Sequence, residues 1–184
     1  MDMKTLLADS IKKCVQGWDK SGIYAVSLFV YDNDDNPCEP TVTLGYNTND
    51  CFRESVSYAS DKQEAKWNYA FWLQNEEMLF GVDETQPVVR EWLESRGFTY
   101  YSYDEMFDGG PDEASYEGIT DEFVKVLVGI VKELHASGFI KEQFGQPVPF
   151  LIHELEYYEK IAEQNIEANG AELVKDFAEF CRSM

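Results

Sequence analysis

Residues Ile23 to Tyr31 read IYAVSLFVY, a run that is apolar or aromatic at every position except Ser27. β-Branched and aromatic side chains favour the pleated backbone. Because successive residues of a strand point to opposite faces, this run puts hydrophobic surface on both sides of a sheet, which predicts a central strand covered on both faces. Outward from it, Asp32 to Pro40 (DNDDNPCEP) is a turn by its Asp, Asn and Pro content. Thr41 to Tyr46 (TVTLGY) is a second strand. The link is far too short for a parallel crossover, so the two strands pair antiparallel.

Helical spacing flanks this pair. Leu6, Leu7, Ile11, Cys14, Val15 and Trp18 recur along one helical face before the first strand. A short helix is expected around Phe52 to Tyr58. Asp61, with Glu64 three residues on, has capping-box spacing, and the aromatic run behind it predicts about three helical turns to Asn75. Pro87 in a first turn and Gly97 as a stop bracket another helix. Phe98 to Tyr103 (FTYYSY) reads as a third strand, and Asp104 to Gly118 as a surface loop. Thr120 is placed to N-cap a long helix whose inner stripe is Phe123, Val124, Leu127, Ile130, Val131 and Leu134, ending at Gly138. Pro147 to Glu154 reads as a strand, Tyr157 to Ala168 as a helix broken by Asn169-Gly170, and Leu173 to Phe180 as a last amphipathic helix. The expected architecture is α+β, a small and mostly antiparallel sheet packed with amphipathic helices in one domain spanning residues 1–184.

Composition bounds the function. The 184 residues include 12 Phe, 11 Tyr and 4 Trp, enough large rings to fill a core. Against 15 basic residues stand 35 acidic ones, for a net charge of −20. That surface repels nucleic-acid phosphates and anionic lipid head groups, and attracts a basic protein. Cys14, Cys38, Cys51 and Cys181 form no C-x-x-C pair and read as reduced thiols, two of them buried. The first residues lack the uninterrupted apolar stretch of a signal peptide, and no segment has the apolar length of a membrane span, so a cytoplasmic location is expected.

Motifs with chemistry fail on inspection. Asp32, Asp34 and Asn36 begin like a calcium loop, but Pro37 stands where glycine is needed and Thr43 where the bidentate acid belongs. His153-Glu154 begins like a zinc-protease helix, but the residue four after His153 is Tyr157. No nucleophile elbow, phosphate loop or dinucleotide fingerprint is present, and no metal or cofactor is expected. His153 is then expected as a half-buried, hydrogen-bonded strand residue. Glu154, Glu156, Tyr157 and Tyr158 lie where the last strand gives way to a helix, and strand ends of this kind form clefts. The candidate binding residues are therefore His153, Glu154, Glu156 and Tyr157. Trp67 and Asn68, in the densest aromatic cluster, join them as groove-lining alternatives to a core role. No Lys or Arg occurs between Arg96 and Lys125, and Asp104, Glu105, Asp108, Asp112, Glu113 and Glu117 there make an acidic, partner-facing loop.

Three segments, PTVTLGYNT (Pro40 to Thr48), EAKWNYAFWLQN (Glu64 to Asn75) and VPFLIHELEYYEKIAEQNIEAN (Val148 to Asn169), carry a resemblance. From about Ile23 to Asn169 the chain resembles a bacterial family of uncharacterised proteins known as a domain of unknown function. Its genomic setting resembles that of immunity proteins that neutralise polymorphic toxins. The resemblance implies a binding protein with a basic partner and brings no catalytic residues. Two other readings stand beside it: an enzyme or small-ligand protein with its site near His153, Glu154 and Tyr157, and an oligomeric scaffold.

Overall fold

The IYAVSLFVY run is the spine of the structure. The computed structural model describes residues 2–107 and 112–184. In chain order they form helix α1 (Met3–Gln16), strands β1 (Ile23–Asp32) and β2 (Pro40–Thr48), helices α2 (Asn49–Ser55) and α3 (Lys62–Trp67), and strand β3 (Met78–Phe80). Helices α4 (Gln86–Ser95), α5 (Tyr103–Phe107), α6 (Ile119–Ala136) and α7 (Phe139–Phe144) follow, then strand β4 (Phe150–His153) and helices α8 (Glu159–Asn169) and α9 (Lys175–Ser183). The sheet order is β3-β2-β1-β4. Thus β1 is central, antiparallel to β2 and parallel to β4, while β3 pairs antiparallel with β2. The fold is α+β with a mixed, mostly antiparallel sheet.

Alternation along the strands separates two cores. Val26, Leu28 and Val30 of β1, Val42 and Leu44 of β2, and Phe150 and Ile152 of β4 face the larger one, which α1, α4 and α6 fill with Leu7, Ile11, Leu93, Phe123, Leu127 and Ile130. Ala25 and Leu151 belong to the second, with Trp67, Trp72, Tyr157, Ile161 and Phe177. In the same alternation fall Ser27, Thr41, Thr43, Asn47 and His153, all buried polar side chains. One sheet face is therefore oily and the other polar and aromatic.

Several expected elements are drawn differently. Phe98 to Tyr103 makes no strand. Asn36 Nδ2 donates to its Tyr101 carbonyl (2.9 Å), so a side chain takes a backbone acceptor that a strand would use, while the Tyr100 hydroxyl anchors the segment to Glu39 (2.5 Å). The third strand is Met78–Phe80, paired with β2 from Val42 to Leu44. The aromatic helix stops at Trp67, since the Asn68 side chain accepts from the Ala70 N–H (3.0 Å) and starts a separate 3-10 turn, Tyr69–Phe71. Helix α6 begins one residue before Thr120, after the left-handed Gly118, and Thr120 donates its hydroxyl to Asp32 rather than capping. The acidic loop contains α5 and a 3-10 turn at Glu113–Ser115. Asp108 lies outside the described residues.

Among the described residues no strand lies beside the outer edge of β4, yet its backbone is paired. Asn165 accepts from the Ile152 N–H (2.8 Å) and donates to the Ile152 carbonyl (2.6 Å). Asn169 does the same for Phe150, at 2.8 and 3.0 Å. Gln164 also donates to the Ile152 carbonyl. Four helical residues rise about 6 Å and two strand residues about 6.6 Å. Two asparagines one turn apart on α8 therefore reach alternate residues of an adjacent strand, and α8 supplies with amides what a fifth strand would supply with backbone.

Candidate functional site

The candidate residues around the end of β4 part into an enclosed group and an open one. His153 is 2% exposed. Its ring lies among those of Tyr69 (4.9 Å between centroids), Phe29 (5.6 Å), Trp72 (6.1 Å) and Tyr157 (6.3 Å). Nδ1 is 3.0 Å from the Glu154 carbonyl, which can only accept, so Nδ1 carries the hydrogen. Nε2 then accepts from the Ser27 hydroxyl at 2.8 Å. Burial holds this imidazole well below its ordinary range, at about 4, so the ring is neutral. The Ser27–His153 bond has the polarity of a nucleophile and its base, but both side chains are buried beneath aromatic rings. The half-buried histidine expected from the sequence is in fact fully buried, because the 3-10 turn after Asn68 lays Tyr69 and Trp72 over it. Tyr157 is enclosed too, its hydroxyl accepting from the Tyr69 N–H at 2.8 Å.

The open group lies just beyond. Phe29, Val30, Tyr31, Asp32, Thr120, Glu154, Leu155 and Glu156 line a cleft of about 240 Å³ at the carboxyl ends of the parallel strands β1 and β4. Leu155 is 74% exposed. Glu154 is half-buried and Glu156 exposed. Burial raises the pKa of Asp32, which the Thr120 hydroxyl at 3.3 Å only partly offsets, and nearby Asp35 adds to the rise. Glu154 is raised chiefly by burial; the Tyr158 hydroxyl at 3.3 and 3.4 Å and the charge of Lys160 oppose the rise, and Asp32 adds to it. Among the described residues no Lys, Arg or His lines this cleft. The nearby Lys160 is paired with Asp121. The two half-buried carboxylates thus have neutral hydroxyls as their hydrogen-bond partners, and the one cation that acts on Glu154, Lys160, is shared with Asp121.

His153 and Tyr157 share the aromatic enclosure while Glu154 and Glu156 face the cleft, so His153, Glu154 and Tyr157 do not converge on one pocket. Trp67 is buried and lines a separate hollow of about 470 Å³ with Tyr24, Phe52, Lys66 and Pro149, whereas Asn68 is a turn cap. In the acidic segment Asp104, Glu105, Asp112 and Glu117 are exposed. Glu105 is tied down by the Ser102 N–H and hydroxyl, which hold its carboxyl below the usual range. Sequence reasoning missed Asp32, Thr120 and Leu155. Asp32 reads as turn composition, and its use follows only from β1 lying beside β4. The available signal was Leu155 itself, an apolar residue between two glutamates just past a strand end.

Among the described residues no group of three or more His, Cys, Asp or Glu side chains is placed to hold a metal ion. All four cysteines are free thiols, Cys38 and Cys181 buried. No family model, curated protein or solved structure matches the chain. The geometry of the strand-end cleft therefore carries the functional argument.

Proposed function

We propose that this protein is an acidic binding protein that captures a basic protein partner, in the manner of a bacterial immunity protein neutralising a toxin. The observation that carries this reading is the strand-end cleft, where carboxylates of Asp32, Glu154 and Glu156 flank an exposed leucine and no cation lines the wall. Elsewhere many of the cations are paired locally. Lys4 pairs with Glu133, Lys66 with Asp176, Arg90 with Glu94, Lys132 with Glu167 and Arg182 with Glu159. With 35 acids against 15 bases, the unpaired remainder is overwhelmingly negative. Such a field steers a basic partner and raises its association rate, steeply so at low salt. The exposed Asp104, Glu105, Asp112 and Glu117 extend the same field beyond the cleft. The same charge disfavours nucleic acid and anionic lipid as partners, and among the described residues no helix is long and apolar enough to cross a membrane. The free thiols suit an encounter in the reducing cytoplasm.

The test is genetic and biophysical together. The chain is co-expressed with the product of the neighbouring reading frame, and growth is scored. Association of the two purified proteins is then measured at 50 and 500 mM salt. Protection, with affinity falling steeply as salt rises, is the expected result. Unchanged growth together with salt-insensitive or absent association overturns the reading.

A further inference from the structure

We infer that the strand-end cleft seats a single arginine side chain of the basic partner, an inference that rests on the binding reading above and names its contact. The cleft is apolar in part of its wall, through Phe29, Tyr31 and Leu155. Phe29 is stacked on both Tyr31 (5.4 Å, 25°) and Tyr69 (5.0 Å, 18°), so the half-buried Tyr31 is the ring left to offer a face at the opening. Its volume of about 240 Å³ suits one long side chain rather than a helix or a drug-sized ligand.

Charge selects the occupant. Asp32 has only the Thr120 hydroxyl at 3.3 Å, and Glu154 only the Tyr158 hydroxyl at 3.3 and 3.4 Å. Neither is in contact with a cation, since Lys160, whose charge reaches Glu154, is paired with Asp121. A cation entering between them recovers Coulomb energy that the free protein lacks, while its methylene stem covers Leu155. Shape selects arginine over lysine. A guanidinium is planar and stacks on aromatic faces. It presents several donors to two carboxylates at once, and it is less strongly hydrated than an ammonium.

The probe is a capped Gly-Arg-Gly peptide titrated into the full chain, beside its lysine counterpart and its citrulline counterpart, which keeps the shape and loses the charge. The readout is amide chemical shift. The arginine peptide is expected to move Asp32, Thr120 and Leu155 saturably, and to bind about tenfold more tightly than the citrulline peptide and several-fold more tightly than the lysine one. D32N and E154Q should each weaken it about fivefold to tenfold. Both remove a desolvated charge, so both variants fold. D50N, which removes a surface carboxylate just past Thr48, at the end of β1 opposite Asp32, should leave the fitted affinity unchanged. Equal affinity for the arginine and citrulline peptides, shifts confined to residues 102–106 and 112–117, or no saturable shifts overturn the inference. If that happens while the chain still captures its basic partner, the binding reading stands without this contact. If the peptide binds the cleft and no basic partner is captured, the functional reading falls and the arginine site remains.

Discussion

Replacing Asn165 with alanine should cost about 3 kcal/mol of stability. Asn165 is fully buried and makes three hydrogen bonds, accepting from the Ile152 N–H at 2.8 Å and donating to the carbonyls of Ile152 (2.6 Å) and Ile161 (2.8 Å). After truncation the Ile152 carbonyl keeps its bond from Gln164, but the Ile152 N–H is left unpaired inside the protein. An orphaned buried donor costs about 1–3 kcal/mol, and the lost side-chain volume adds roughly 1 kcal/mol. For a chain of this size the total lowers Tm by roughly 6–12 °C. Asn169→Ala supplies the control. It removes the equivalent pair of bonds from Phe150, but Asn169 is only half-buried and water replaces it, so about 1 kcal/mol is expected. Asn165→Asp should be worse than alanine at neutral pH, because its second oxygen faces two carbonyls with no donor. Its carboxyl is then raised above the unfolded value, so the deficit shrinks as pH falls and the acid protonates. Urea unfolding followed by circular dichroism gives the free energies, and hydrogen exchange at Ile152 locates the damage. An N165A variant within 0.5 kcal/mol of wild type would refute the view that α8 stands in for a strand, and N169A costing as much as N165A would refute the replacement of Asn169 by water.

Further expectations follow from other close contacts. A Cβ at Gly45 would lie 2.3 Å from the Asn75 carbonyl oxygen, a backbone atom that cannot swing away, so Gly45→Ala should cost about 2–4 kcal/mol in urea unfolding; a neutral outcome means that the chain crossing β2 there is not fixed. His153 is neutral and buried with its pKa lowered from 6.5 to about 4, so its contribution is intact above pH 6.5 and is lost as pH falls toward 4. The loss approaches about 3 kcal/mol, and His153→Gln should remove that slope; parallel pH profiles for the two proteins would contradict the neutral imidazole. Asp34 and Asp35 both have positive φ, 51° and 58°, and the Asn36 N–H bonds the Asn33 carbonyl at 2.9 Å, the geometry of a type I′ turn. Asp35→Gly should relieve strain and stabilise by about 1 kcal/mol in thermal melts, and a lowered Tm would show that the Asp35 carboxylate is itself structural.

What the sequence reveals depends on how local each cause is. The unbroken apolar run of β1 and its short link to β2 identify the central antiparallel pair, because pattern and link length are local properties. The aromatic wealth is likewise legible as interior, as Trp67, Trp72, Phe123 and Phe177 show. The third strand was not, since Met78–Phe80 is only three residues long and is held extended by β2 rather than by its own preference. FTYYSY has strand-like residues, but Asn36 takes its Tyr101 carbonyl and Glu39 anchors its Tyr100 hydroxyl. The stop at Trp67 follows from one asparagine that caps the next turn instead of prolonging the helix. Asn165 and Asn169 are legible in hindsight: two poor helix formers, four apart within a helix, need a reason to be there. Of the candidate site, Glu154 and Glu156 were within reach because they directly follow a recognisable strand. Asp32 joins them only through the parallel pairing of β1 with β4, which no local pattern encodes.

That parallel pairing also governs how the chain is made. Val26 of β1 meets Phe150 of β4, so one side of the central strand finds its partner only after more than a hundred further residues have been made. At typical ribosomal rates of about 5–20 residues per second, the oiliest strand of the sheet waits roughly 6–25 s with one flank unpaired. A nascent chain halted before β4 emerges therefore presents an aggregation-prone edge, and it is a natural client for a chaperone that grips extended apolar segments.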